Sequence, residues 1–255
     1  LAIMPVMVVI INSFKERRAI FTNPYVLPSK ETFSTIGYET VQARSNFALY
    51  YFNSFVVTLT ALALIILFGS MVAHALAEYS FKGNSFFRLY FLLGIIIPIR
   101  LGSVSLLRLI VSLELMNTLA ALIFVYIAQG LPLAIFVLTQ FMEQIPTEMK
   151  DAARIDGANE YQVFLLVLPL IRPALGTVAA FTMLPIWNDL WFPLILAPGE
   201  QTRTVAIGAQ QFMGQFSNDW NALLAALTLS IVPVLILYFV FSKQLLRSLT
   251  SGSIK

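Results

Sequence analysis

The chain alternates between long stretches free of Asp, Glu, Lys and Arg and short polar connectors. No such residue occurs between Arg44 and Glu78, between Glu114 and Glu143, or between Asp219 and Lys243. A helix needs about 20 apolar residues to cross a hydrocarbon layer of about 30 Å, so each gap can hold one span. The pattern predicts an all-α, polytopic membrane protein with about six transmembrane helices. The first ends near Ser13 and the second lies within about Tyr50–Ala75. The third runs from about Phe86 to Ile99, closed by Pro98 and Arg100. The fourth covers about Asn117–Gln140, the fifth about Pro173–Leu196 and the sixth about Asn221–Ser242. The apolar run Leu1–Ile11 ends at Asn12-Ser13, and its roughly 20 Å of helix is too short to cross. Basic residues follow this run rather than precede it. It therefore reads as the second half of a first span whose beginning is missing from the sequence.

The connectors differ in kind. Residues 14–48, with Asn23-Pro24 and Pro28, are expected to form a long loop with little regular structure. Lys82-Gly83-Asn84 marks a tight turn. Residues 101–116 are amphipathic and predict an interfacial helix with Arg108 and Glu114 on its polar side. Trp220 closes a Gly/Gln/Asn-rich loop at a depth where an interfacial aromatic is expected.

Composition strengthens this picture. The chain is 58% hydrophobic and 11% charged, against about 25% charged residues in ordinary soluble domains. The net charge of +3 is spread one or two residues at a time between apolar runs, which excludes a nucleic-acid surface. With no cysteine, disulfides, structural zinc and thiol catalysis are excluded. Orientation does not follow from Lys/Arg bias. Lys82, Arg88, Lys150, Arg154, Arg172, Lys243, Arg247 and Lys255 fall on one side; Lys15, Arg17, Arg18, Lys30, Arg44, Arg100, Arg108 and Arg203 fall on the other.

The polar segment of about 143–170 reads as two short helices with a sharp corner. Thr147 can cap the first, with Glu148 and Asp151 near its positive end. Gly157 suits the left-handed residue that stops it. Asn159 then caps a second helix with Gln162 three residues on, and Pro169 ends or kinks that helix. Met149, Ala152 and Ala153 share a face where small side chains let another surface approach the backbone. Lys150 and Arg154, on the opposite sides, would be available to pair with a partner. On spacing alone, a docking knob and an interfacial helix hairpin fit equally.

Asp151-Ala152-Ala153, three residues, Gly157 and then Leu168-Pro169 resemble the EAA loop of ATP-binding-cassette (ABC) importer permeases. Three further stretches are similar to the carbohydrate, maltose-permease-like branch: Ile186-Trp187-Asn188-Asp189-Leu190-Trp191-Phe192-Pro193, Trp220-Asn221-Ala222-Leu223-Leu224-Ala225-Ala226, and Leu249-Thr250-Ser251-Gly252-Ser253-Ile254-Lys255. The resemblance covers nearly the whole chain and implies a single transmembrane domain over residues 1–255. It implies a cytoplasmic loop between spans four and five in which Glu148, Asp151, Ala152, Ala153, Asp156 and Gly157 couple to an ATPase. It further implies a cytoplasmic tail over about 243–255, a second homologous permease, two ATPase subunits carrying ATP and Mg, and an extracytoplasmic solute-binding protein. The chain itself is expected to bind no cofactor and to catalyse nothing. Two departures stand out. Asp151 replaces the usual Glu, and the gap from Gly157 to Leu168-Pro169 is one residue shorter than the family pattern.

Asp189, between Trp187, Asn188 and Trp191, is a carboxylate at membrane depth. It either lines a translocation pathway with Trp187 and Asn188, or makes an interhelical hydrogen bond that stabilises a helix bent near Pro185 and Pro193. His74, the sole histidine, is expected to be structural, and Arg100 and Arg108 to be interfacial anchors. No Gly-x-x-x-x-Gly-Lys-Ser/Thr, His-Glu-x-x-His or Gly-x-Ser-x-Gly motif is present, so ATP hydrolysis is expected on partner chains. An ion-coupled secondary transporter, which should carry buried carboxylates in several spans, and a non-transporting membrane scaffold are the rival classes.

Overall fold

A computed structural model describes the backbone of residues 4–214 and 219–251, and side chains up to Leu235. The regular elements among the described residues are helices, with an isolated bridge between Lys15 and Phe33. In chain order the helices are α1 (Met4–Ser13), α2 (Arg17–Thr22), α3 (Ile36–Arg44), α4 (Phe47–Glu78), α5 (Asn84–Ile96), α6 (Ser103–Ser112), α7 (Leu119–Met142), α8 (Thr147–Ile155), α9 (Glu160–Leu170), α10 (Arg172–Trp187), α11 (Trp191–Leu196), α12 (Val205–Gln210) and α13 (Trp220–Ser251).

Among the described residues, two helices, α4 and α7, are long and apolar enough to cross a membrane as single rods. Two further candidates are broken. The third predicted span is α5, which stops at Ile97-Pro98 and turns by 85° through a 3₁₀ segment into α6. Proline lacks the N–H that would continue the helix and disfavours helical geometry in the residue before it. The second broken candidate is α9 with α10, which meet at 73°; the predicted fifth span, about Pro173–Leu196, is further interrupted at residues 188–190 between α10 and α11.

The inward stripe of α4 mixes small and polar side chains, Asn53, Ser54, Thr58, Ala61, Ser70 and Ala73, with the large apolar Tyr50, Val57, Ile65 and Leu76, while Phe52, Leu59, Leu67, Phe68 and Met71 face outward. Hydrocarbon solvates those outer side chains as well as a protein core would, so helices associate through close packing and hydrogen bonds instead. Within residues 57–186 the packing is tight enough to require glycine. A Cβ on Gly130 would come within 2.5 Å of Ile65, and one on Gly69 within 2.9 Å of Ala134.

The chain forms two compact units, residues 1–56 with 187–237, and residues 57–186 with 238–255. The first is built on Val41, Phe47, Tyr50, Trp187, Val205, Ala209, Phe212, Ala222, Leu223, Ala225 and Ala226. It also corrects the expectation for residues 14–48, which hold α2 and α3. Backbone bonds from Glu16 N to Thr32 O (2.9 Å) and from Ser34 N to Phe14 O (2.9 Å) close the segment on itself. Lys15 lies inside the fold, donating to Asn12 Oδ1 (2.9 Å) and Asn23 O (2.7 Å). Polar composition suggested a solvated loop, but here the polar groups satisfy one another and leave Ala19, Ile20 and Val41 buried.

Candidate docking hairpin

The segment of about 143–170 folds as the predicted helix, corner and helix. Pro146, not Thr147, is the N-cap of α8; Thr147 is the first helical residue, and no side chain caps that end. The other end is fully satisfied. Gly157 has φ +89°, Ala158 N donates to Ala153 O (2.9 Å) and Gly157 N to Arg154 O (3.0 Å). Together these are the paired bonds of a Schellman C-cap. α9 then starts with a complete capping box: Gln162 N donates to Asn159 Oδ1 (2.9 Å) and Asn159 N to Gln162 Oε1 (2.8 Å).

Helical spacing gives α8 two faces. Glu148, Met149, Ala152, Ile155 and Asp156 are exposed, with Ile155 at 86%. Asp151 and Gly157 are exposed beside them, and Ala153 is half-buried. Lys150 and Arg154, one turn apart, turn inward. This corrects the expectation that they wait for an external partner. Lys150 Nζ donates to Glu78 Oε2, and Arg154 Nη2 donates to Glu78 Oε1 (2.5 Å) at the last residue of α4. Arg154 also pairs with Asp151 Oδ1 (2.8 Å) and Glu160 Oε1 (2.9 Å). Tyr79 Oη donates to Glu160 Oε2 (2.6 Å). At the loop's entrance Arg88 reaches Glu143 Oε1 (2.5 Å), Asn84 Oδ1 (2.6 Å) and Leu76 O (2.5 Å).

The electrostatics follow from this geometry. Hydrogen bonds from Arg154 and then Tyr79 hold the Glu160 carboxyl down at about 2. Donation to Glu160, helped by burial, pushes the Tyr79 hydroxyl up to about 12. Bonds to Glu160, Glu78 and Asp151 raise the Arg154 guanidinium above its ordinary value. His74 stacks edge-on against Phe164, with ring centroids 5.4 Å apart, and fills the space behind the cluster.

Glu78, Tyr79 and Glu160 were missed by sequence reasoning. One signal was present: Lys150 and Arg154 at i and i+4 share a face, so a single acceptor can serve both. Glu78, the first charge after an apolar run, is such an acceptor.

The second group of candidates lies at the break between α10 and α11. Trp187 is buried and its Nε1 donates to Ser230 O (3.2 Å), with its ring edge-on to Phe55. Asn188 is exposed. Asp189 is buried, and its carboxylate accepts from Trp191 N (3.3 Å) and Phe192 N (3.1 Å). These bonds are local, serving the backbone N–H groups that the break sets free. Separately, within residues 57–186, a cavity of about 940 Å³ opens between α5, α7 and α10. Its lining mixes Tyr90, Gly94 and Pro132 with Arg100, Gln129 and Thr182. The expected tail over 243–255 is helical as far as Ser251, and residues 252–255 lie outside the described residues.

Comparison with known proteins agrees with this architecture. Residues 65–251 match the family described as "Binding-protein-dependent transport system inner membrane component". The diacetylchitobiose uptake system permease protein of Streptomyces coelicolor is 32% identical across the whole chain and 85% of its own length. The arabinooligosaccharides transport system permease protein of Halalkalibacterium halodurans is 33% identical across the whole chain and 92% of its length. In structure the chain resembles a bacterial ABC transporter involved in the import of the acidic polysaccharide alginate, with TM-score 0.81 and 20% identity over 95% of this chain and 90% of that one. The fold, the apolar helices and the matched family thus agree, and the chain belongs to the inner-membrane permease components of binding-protein-dependent ABC importers.

Proposed function

We propose that this chain forms half of the translocation pore for a carbohydrate or related polyol-type solute, and that α8 is the coupling helix that an ATPase subunit grips. The observation that carries this reading is the outward face of α8. There Met149 and Ile155 are exposed beside the small Ala152, on a helix held from behind by Glu78, which leaves an apolar face that another surface can cover. The carbohydrate class is supported by the names of the permeases to which the chain is similar.

In this reading the chain crosses the membrane six times, with α5–α6 and α10–α11 as broken spans, and places α8 and its C-terminus in the cytoplasm. A second homologous permease completes the pore. Two ATPases supply ATP hydrolysis, and an extracytoplasmic binding protein delivers the solute. Closure of the ATPases moves α8 and switches the pore between inward- and outward-facing states. The cavity between α5, α7 and α10 offers an aromatic face and hydrogen-bonding side chains, the pairing that sugar rings require. Asn188 belongs to the pathway, while Trp187 and Asp189 hold the break that exposes it.

The test is to place Ile155→Asp on the outward face within the assembled transporter. The variant should insert at normal yield while losing ATPase binding and transport; unchanged transport would overturn the assignment. Deleting 148–157 is a poorer test, because it would also strip Glu78 of both cations. Gln129→Leu should raise the KM for solute and leave ATPase binding intact. An unchanged KM would remove that cavity from the pathway.

A further inference from the structure

We infer that Glu78 is the positioning residue of the coupling helix, the single acceptor through which α8 is locked to α4 so that the two move together. This inference rests on the reading of α8 as the coupling helix and adds the element to which its motion is delivered.

Three observations carry it. Glu78 is the last residue of a 32-residue helix, and its side chain is only 7% exposed. Each of its carboxylate oxygens receives a different cation from α8, Lys150 on Oε2 and Arg154 on Oε1. Two attachments one turn apart fix both the position of α8 and its roll about its own axis, which a single ion pair would not do. That roll decides which residues face outward, because Lys150 and Arg154 lie opposite Met149, Ala152 and Ile155. Arg154 extends the lock by binding Glu160 on α9, whose other oxygen takes the Tyr79 hydroxyl one residue beyond α4. The ends of α4, α8 and α9 thus share one hydrogen-bonded junction. A push on α8 reaches the long span α4 through charged groups that are largely shielded from water and therefore weakly screened.

The argument also explains why neutral surface residues would not serve. A helix held only by apolar contacts could roll under load, whereas leaving a buried cation unpaired is strongly disfavoured. Rolling α8 would uncover exactly that cost at Lys150, so the lock resists rotation in both directions.

The experiment uses the full transporter reconstituted in liposomes and reads solute transported per ATP hydrolysed. Glu78→Gln should lower that ratio about tenfold, within the range by which mutations away from ligand sites alter coupling, while the ATPase still co-purifies. Because Glu78→Gln can also weaken folding, Lys150→Met/Glu78→Leu, which removes Glu78 together with its buried cation and leaves Arg154 paired with Asp151 and Glu160, is measured beside it. Its melting temperature should recover while its transport ratio stays low. A Glu78→Gln variant with a normal transport ratio, or a double variant whose ratio recovers with its stability, overturns the inference. Ile155→Asp separates the two levels. If Ile155→Asp abolishes ATPase binding but Glu78→Gln leaves the ratio normal, only the positioning role fails. If Ile155→Asp binds and transports normally, the coupling-helix reading itself fails.

Discussion

The two units solve the same problem, tethering polar segments to apolar helices, with different chemistry. In residues 1–56 with 187–237 most ties are side-chain amides and hydroxyls meeting backbone, beside the buried Lys15 and one long, exposed ion pair, Arg44 with Asp219 (3.7 Å). Asn53 Nδ2 donates to both Gln201 O and Arg203 O (2.9 Å each), Ser54 Oγ accepts from Val205 N (2.9 Å), and Asn221 Nδ2 donates to Lys15 O (2.7 Å). In residues 57–186 the ties are ion pairs between side chains: Glu78 with Lys150 and Arg154, Arg154 with Glu160, and Arg88 with Glu143. A buried amide bonded to backbone admits essentially one arrangement. An exposed ion pair such as Arg88 with Glu143 responds to salt, whereas the shielded pair of Glu78 with Lys150 does so less.

The comparison breaks first at Gly37. Its absent Cβ would lie 2.3 Å from Asn221 O, a backbone atom that cannot swing aside. Gly37→Ala should cost about 3 kcal/mol and depress the melting temperature and detergent-extracted yield; a neutral outcome would mean the first unit is softer than its hydrogen bonds imply. Asn53→Leu comes next. It strands two buried-side carbonyls and should cost about 2 kcal/mol, read as a loss of melting temperature that added salt does not change. Gly157→Ala should cost about 1 kcal/mol because an L side chain resists the left-handed φ of +89°. No atom lies within 4 Å of the new Cβ, so sterics add nothing, and purified yield should be nearly normal. Glu143→Gln should cost under about 1 kcal/mol, since its pair with Arg88 is about one-third exposed. Its deficit should shrink as ionic strength rises, the opposite of Asn53→Leu.

The smallest effect concerns pH. Glu160 is depressed from 4.5 to about 2 in the folded chain. Its contribution is therefore complete above pH 4.5 and disappears as pH falls toward 2. Melting curves of the parent and of Glu160→Gln should differ by a constant amount from pH 5 to 8 and converge below 4.5. Divergence in acid would mean that Arg154 is not its partner.

Much of the hairpin was legible in the sequence because its determinants are local. Gly157, Asn159 and Gln162 act within four residues of themselves, so the corner and capping box were readable in order. Of the residues expected to couple to an ATPase, Glu148, Asp151, Ala152, Asp156 and Gly157 are exposed and Ala153 is half-buried. The inward partners were not legible, because Glu78 lies 72 residues before Lys150 and no local rule pairs them. Thr147 was misread as the cap because Pro146 takes that place without any side-chain bond. Residues 14–48 were misread because polar composition does not reveal whether the polar groups meet water or one another.

Charge-free run lengths by themselves determined that this is a helical membrane protein, since twenty apolar residues in a helix match the thickness of a bilayer and little else does. The two-helix hairpin followed from local capping signals in the same one-dimensional pattern. What only the tertiary structure decided was where the charges go. Lys150 and Arg154, which composition assigns to the surface, close on Glu78, and the buried Asp189 carboxylate accepts from the backbone of Trp191 and Phe192 just past the helix break. Periodicity reports which face a side chain occupies. The partner across that face is set by packing between segments far apart in the chain.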